Sequence, residues 1–309
     1  MTREAVDQAL TKIAEFDKSG YQLNSVLAIT ENLVFNENDG PLAGVPILIK
    51  DNIEAIGLPA TAGSLALSNT PVVRDSTIAR RLRNAGATII GATNLSEWAN
   101  IRSGKSTSGW SAVGGLTANP WKHSHSAGGS SSGSGAAVGA GIVSMAVGSE
   151  TDGSIVCPAS LNGCVGIKPT VGSIPRDAMI PISASQDTPG PMAQSVLLTA
   201  QLLEVLTDKT GYISAVTAES EIRIGVVKEW VTQDAGTNTL FQELLSKLGK
   251  RVKVTEISLP EPSEDEGEAE FKVLMQELNE DLASYQLSKE SPGKSRKEFE
   301  RCSRFQQRK

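Results

Sequence analysis

The segment that most limits what this chain can fold into is "SHSAGGSSSGSGAAVGAGIVSMAVGSETDGSIVCPAS", from Ser124 to Ser160. A serine- and glycine-rich stretch alone is commonly a flexible spacer. This one runs on into "AAVGAGIVSMAVGS", small and apolar with no charge for more than a helical turn, and such a run has to be buried. Glycines and hydroxyls held against a buried element let a substrate come close to the backbone. The segment therefore reads as a site, with "GSGAAVGAGIVSMAVGS" a buried helix inside it.

Composition supports a large core. The 309 residues are 39% hydrophobic and 21% charged, which is ordinary for a globular protein. A net charge of -6 argues against a nucleic-acid surface. No stretch is long and apolar enough to span a bilayer, and the amino terminus is charged from its third residue, so the expectation is a cytoplasmic protein without signal peptide or anchor. Three cysteines, Cys157, Cys164 and Cys302, lack metal spacing, and the two histidines, His123 and His125, sit together. No metal site is expected, and Cys157 and Cys164 read as small buried hydrophobes.

Along the chain, Arg3 to Lys18 carries apolar residues at helical spacing. "GVPILIKDNI" reads as a buried strand that delivers Lys50 to its end, "DSTIARRLRNAGA" as a capped helix and "TIIGATN" as a second buried strand. That alternation means α/β. Further on come a strand with turns in "GCVGIKPTVGSI", an apolar helix in "SVLLTAQLLEVLTD", a strand in "IRIGVVKEW", an amphipathic helix in "TNTLFQELLSKLGKRV" and a strand in "KVTEISLP". "EPSEDEGEAE" reads as an acidic loop leading into a helix from Phe271 to Tyr285.

Several local patterns compete for the chemistry. "GSSSG" fits a GxSxG nucleophile elbow, but that triad places its histidine after the serine, and both histidines here precede it. "ANIRSGKS" is a near-match to a phosphate loop without the flanking strand and helix. Glu150 and Asp152, two carboxylates alone, make a poor metal site. A fourth reading is a serine activated by a lysine, which needs that lysine neutral, and desolvation is the usual way to lower its pKa, whereas a lone strand-end lysine ordinarily snorkels to solvent. Lys50 is the one lysine preceded by four consecutive apolar residues.

"GPLAGVPILIKDNI", "AGGSSSGSGAAVGAG", "GSETDGSIVCPASLNGCVGIKPTVGSIPRDAMIPIS" and "QDTPGPMAQSV" resemble successive blocks of the amidase signature family of serine hydrolases, in that family's order and spacing, over about residues 40–208. The resemblance implies an α/β/α sandwich around a mixed central sheet and a Ser-cisSer-Lys triad. Carried over, the lysine is Lys50, the serine preceded by a cis peptide bond is Ser130 and the nucleophile is Ser154. The backbone N–H groups of Thr151, Asp152, Gly153 and Ser154 correspond to the family's oxyanion hole. The family implies no cofactor, and its substrates are small-molecule or peptide amides.

Two departures refine the expectation. Many members carry two glycines before the nucleophile, whereas Asp152 occupies the first of those places here. "ETDGSIV", "NLSEWANIRS" and "TSGWSA" look most like the peptide-amidase branch, which converts C-terminal peptide amides to acid and ammonia, with Trp98, Trp110 and Asp187 as substrate-lining candidates. The chain is also shorter than family members, which implies a fold incomplete at its C-terminal part. The domain reading is an amidase signature domain over 1–285 followed by a basic, disordered tail over 286–309. The amidase component of a tRNA amidotransferase is the alternative within the class. Outside it stands a truncated, inactive homologue that only binds, whose unpaired sheet edges would favour homo-oligomers.

Overall fold

The protein is described by a computed structural model over residues 2–31, 33–35, 39–218, 222–260 and 263–290. In chain order the first elements are α1 (Thr2–Lys12), β1 (Val26–Ile29), β2 (Pro46–Lys50), α2 (Thr77–Asn84), β3 (Thr88–Thr93), β4 (Trp110–Ser111), β5 (Gly115–Leu116), α3 (Ser132–Gly139) and β6 (Met145–Glu150). There follow α4 (Val156–Asn162), β7 (Val165–Gly166), β8 (Thr188–Ala193), α5 (Val196–Thr207), α6 (Tyr212–Thr217), β9 (Arg223–Val227), α7 (Ala235–Leu248), β10 (Lys253–Ile257) and α8 (Glu264–Glu290). The chain divides into two compact units, one running to Val216 and resuming at Leu274, the other Thr217–Val273.

The first unit is built on a six-stranded sheet of order β1-β3-β2-β6-β8-β7. Its middle strands β3, β2 and β6 are parallel, and the flanking pairs β1/β3, β6/β8 and β8/β7 are antiparallel. The sheet is thus mixed, as expected. Every residue of β2, β3 and β6 is buried, the pattern of strands covered on both faces.

Strand alternation sorts the side chains into two cores. Ile47 and Ile49 of β2, with Met145 and Val147 of β6, pack against Ile78 and Leu82 of α2 and Leu202 and Leu206 of α5. Leu48 and Ala146 point the other way, to Val6 and Ala9 of α1 and Ala136 and Ala137 of α3. The same parity assigns Lys50 to the face of Leu48, beneath the entry to α3.

Helix α2 starts where Ser76 accepts a hydrogen bond from Ala79 N (3.1 Å), and α5 where Ser195 accepts one from Leu198 N (3.2 Å). Strand β8, "TPGPMA", is fully buried despite two prolines. The backbone of Pro191 faces β7, where its carbonyl accepts from Ile167 N. Pro189 shares that side by alternation, and β7 is only two residues long, so the missing N–H groups leave the β6 ladder intact.

Three expectations need correction. The apolar run after Ser132 is not one helix: α3 ends at Gly139, and β6 begins at Met145. Gly139 abuts Asn162, whose carbonyl oxygen would lie 2.2 Å from a Cβ there, and Gly141 turns the chain at φ +69°. The expected strand in "GCVGIKPTVGSI" shrinks to β7 and turns. The acidic stretch is not all loop, because α8 begins at Glu264 with Glu264, Asp265 and Glu266 in its first turn, where negative charge suits the helix N-terminus. Ser263 N donates to Glu266 Oε2 (2.7 Å) while Glu266 N donates to Ser263 Oγ (3.3 Å), a reciprocal capping box.

Helix α8 also continues past Tyr285 to Glu290, and the rest of the expected tail, 291–309, lies outside the described residues. In the second unit, β9 and β10 pair in parallel from Arg223↔Lys253 to Val227↔Ile257, joined by α7. Leu240, Leu244 and Phe271 are exposed. No helix among the described residues is long and apolar enough to cross a membrane.

Candidate active site

The carboxyl ends of β2, β3 and β6 meet at one place, where open α/β sheets commonly hold their ligands. Strand β2 ends in Lys50, whose side chain is fully buried. Its Nζ lies 2.7 Å from Ser130 Oγ, 3.1 Å from the Ser149 carbonyl and 3.0 Å from Ser149 Oγ. Burial pushes the Lys50 pKa down to about 7, against the opposing pull of the Asp187 and Glu150 carboxylates. A group with that pKa is substantially neutral at physiological pH, which a solvated lysine is not.

The serine-glycine segment enters the site over β6. The Gly129–Ser130 peptide bond is cis. Ser130 O accepts from Ser96 N (3.1 Å), at the carboxyl end of β3. Two neighbouring serines have separate work, while Ser132 Oγ is buried without a hydrogen-bond partner among the described residues. Ser131 Oγ donates to the Ser149 carbonyl (3.0 Å) and accepts from Ser149 N (3.2 Å). Ser134 Oγ donates to the Val147 carbonyl (3.1 Å) and meets Thr93 Oγ1 at 2.8 Å. These bonds bind the start of α3 to β3 and β6, and they leave Ser130 as the hydroxyl directed at Lys50.

Two glycines permit that approach. A Cβ on Gly129 would lie 2.3 Å from Ser96 Oγ, and one on Gly133 would lie 2.2 Å from the Ser25 carbonyl oxygen and 2.6 Å from Asn94 N. Only a residue without a side chain fits either place.

The loop after β6 carries Ser154, which is buried. Ser131 N donates to Ser154 O (3.0 Å), so the two segments lie side by side. Among the described residues no hydrogen bond joins the Ser130 and Ser154 hydroxyls. The loop is shaped by Glu150, whose Oε1 accepts from Gly153 N (2.9 Å) and whose Oε2 accepts from Ile155 N (2.6 Å) and Val156 N (3.0 Å). The Gly153 N–H is therefore already engaged. The N–H groups of Thr151, Asp152 and Ser154 have no protein acceptor among the described residues. Lys168 Nζ donates to the Thr151 carbonyl.

Asp187, expected to line substrate, is turned into the protein. Its Oδ1 accepts from Thr151 Oγ1 (2.5 Å) and its Oδ2 from Ile182 N (2.8 Å) and Ser183 N (3.0 Å). Burial raises its pKa, with those hydrogen bonds opposing. The geometry makes it a brace between the Thr151 loop and the turn before β8. Trp98 is half-buried, packs with Ala62, Leu67, Ile180 and Tyr285, and borders a small cavity with Asn52 and Ile182. Trp110 is half-buried under the Arg102 guanidinium, 5.4 Å from its ring centroid.

The competing patterns find structural places. His123 packs edge-on against Tyr21, and Glu150 is occupied by the loop backbone. Among the described residues no group of three or more His, Cys, Asp or Glu side chains could hold a metal. The reading of both cysteines as buried is met by neither in full: Cys164 is half-buried, and burial pushes its thiol up to about 11. Cys157 is exposed, because Ile155, Pro158 and Ala159 take the inward positions around it. Sequence reasoning missed Ser149 and Asn52, whose Nδ2 donates to Ser149 Oγ (2.9 Å). Both stand inside quoted blocks, but neither residue type signals a contact with Lys50 until the strands are placed side by side.

Comparison with known proteins gives the family. The amidase family profile matches residues 4–307, and the chain belongs to that family. It is 35% identical to mandelamide hydrolase of Pseudomonas putida over 306 residues, 94% of this chain and 59% of that protein. It is 38% identical to a glutamyl-tRNA(Gln) amidotransferase component of Salinispora tropica over 278 residues, 83% of this chain and 55% of the relative. The crystal structure of native peptide amidase from Stenotrophomonas maltophilia superposes with a TM-score of 0.84 at 38% identity, covering 94% of this chain and 65% of that one. The chain thus spans about three-fifths of the length of these relatives.

Proposed function

We propose that the chain carries the hydrolytic centre of a carboxamide hydrolase acting on C-terminal amides of peptides or other small amides. The observation that carries this reading is the buried Lys50 amine 2.7 Å from Ser130 Oγ, with Ser154 held alongside by the Ser131 N to Ser154 O bond. Neutral Lys50 takes the proton of Ser130 as Ser130 takes that of Ser154. Ser154 Oγ then forms a bond to the carboxamide carbon, and the carbonyl π pair moves onto oxygen. The N–H groups of Thr151, Asp152 and Ser154 face the developing oxyanion. Loss of such a donor typically costs about 100- to 1000-fold in rate.

Collapse of the adduct breaks the C–N bond. Ser130 passes a proton to the leaving amine, and Lys50 restores the proton of Ser130. Water, deprotonated along the same path, then attacks the acyl ester and releases the acid and Ser154. The Ser130–Ser154 hydrogen bond forms in the substrate complex, as catalytic hydrogen bonds commonly tighten only there. No cofactor enters these steps.

Ammonia release from a C-terminally amidated peptide and from an aryl carboxamide, with Ser154→Ala as control, tests the reading. Turnover lost in the variant supports it. Turnover retained by Ser154→Ala overturns it. The amidotransferase-type reading, which has a 38% identical relative behind it, predicts no release from small amides by the chain alone.

A further inference from the structure

We propose that Ser149 is the positioning residue for the base, holding both N–H groups of neutral Lys50 so that its lone pair faces Ser130. The inference rests on the reading of Lys50 as base. A neutral amine has two N–H donors and one lone pair, and three oxygen atoms surround Nζ: Ser130 Oγ at 2.7 Å, Ser149 O at 3.1 Å and Ser149 Oγ at 3.0 Å. The Ser149 carbonyl can only accept. If Ser149 Oγ accepts the second N–H, the lone pair is left for the Ser130 proton.

Ser149 is itself fixed. Its hydroxyl accepts from Asn52 Nδ2 (2.9 Å), and its backbone is locked in both directions by Ser131 Oγ. Because Asn52 follows Lys50 in the turn after β2, the contact binds the ends of β2 and β6 at the amine. Without Ser149 Oγ, one N–H of Lys50 has no partner except Ser130. The amine can then rotate to donate to Ser130, which opposes proton transfer.

Burial lowers the Lys50 pKa and the carboxylates of Asp187 and Glu150 oppose it, and neither carboxylate is altered by changing Ser149. In the protonated state all three oxygens accept from the ammonium, so deleting one destabilises the cation. Ser149→Ala should therefore do two things together. The plateau of kcat should fall by at least about 10-fold, a modest share of what a positioned base contributes, with KM little changed. The acid limb of the kcat profile should also move to lower pH, whereas Ser149→Thr, which keeps the hydroxyl, should hold the limb at the wild-type position.

A merely structural role would lower the rate without moving the limb, and that result overturns the proposal. Should Ser149→Ala not fold, Asn52→Ala reads the same contact: a kcat plateau lowered several-fold supports the inference, and an unchanged plateau overturns it. The base reading fails separately, if Lys50→Ala keeps the wild-type rate and profile.

Discussion

Desolvation decides what Lys50 can do. At the end of a strand buried on both faces its amine is shielded from the solvent that would stabilise a charge, and the carboxylates of Asp187 and Glu150 only partly offset that cost. In the proposed mechanism Lys50 acts as base when neutral, so kcat/KM should rise with pH through about 7 and level off above it. A profile flat from pH 5.5 to 8.5 would count against the role. Asp187→Asn removes a charge that favours the ammonium, so it should move that limb to lower pH. It should also loosen Thr151 and so reduce kcat. A limb moving to higher pH would contradict the assigned sign. Lys50, Ser130 and Ser154 could be proposed from the sequence because each stands in a block that resembles the family's. The inward role of Asp187 was not, since it depends on a contact with Thr151 in another segment, and Ser149 becomes visible only when β2 and β6 are placed side by side.

At the scale of elements, the site depends on how closely α3 and the loop after β6 approach the sheet. Gly133→Ala would push a methyl group into the backbone of Ser25 and Asn94, and overpacking of this kind costs about 1–3 kcal/mol. Its urea midpoint should fall accordingly, and an unchanged midpoint would show that the contact relaxes freely. Glu150→Gln replaces one acceptor oxygen with a donor facing N–H groups, so the Ser154 loop should lose its shape and kcat should drop at least about 10-fold. Strands β2 and β3 and helices α2 and α5 could be read from their periodicity and caps. The division of the apolar run into α3 and β6 could not, because small residues serve either element and only the contact of Gly139 with Asn162 decides. The start of α8 was readable in principle: Ser263 and Glu266 form a capping box that the acidity of the segment obscured.

For the whole molecule, the mixed sheet and the family membership were both legible, because the blocks over residues 40–208 are dense and ordered. The role of α8 was not, since it rests on contacts far apart in sequence. Glu277 accepts from Ser183 Oγ (2.5 Å) and Ser185 N (2.9 Å), and Asp281 accepts from Ala184 N (2.7 Å). These residues occupy the turn that also donates Ile182 N and Ser183 N to Asp187. The Glu277 pKa is depressed, chiefly by Ser183, so its contribution to stability is present above the ordinary carboxylate pKa and lost as pH falls through its lowered value. Glu277→Gln should therefore flatten the acid side of the stability profile, which thermal melts across pH 3 to 7 would show. An unaltered profile would detach this contact from the fold's acid sensitivity.

The central claim is that a neutral, buried lysine activates Ser154 through Ser130. It is tested most directly by covalent labelling with a fluorophosphonate, followed by peptide mapping of the modified residue. The account predicts a single adduct on Ser154, with a labelling rate that rises through about pH 7, no adduct in Ser154→Ala, and strongly slowed labelling in Lys50→Ala. An adduct on another serine, or labelling at the wild-type rate without Lys50, would contradict it.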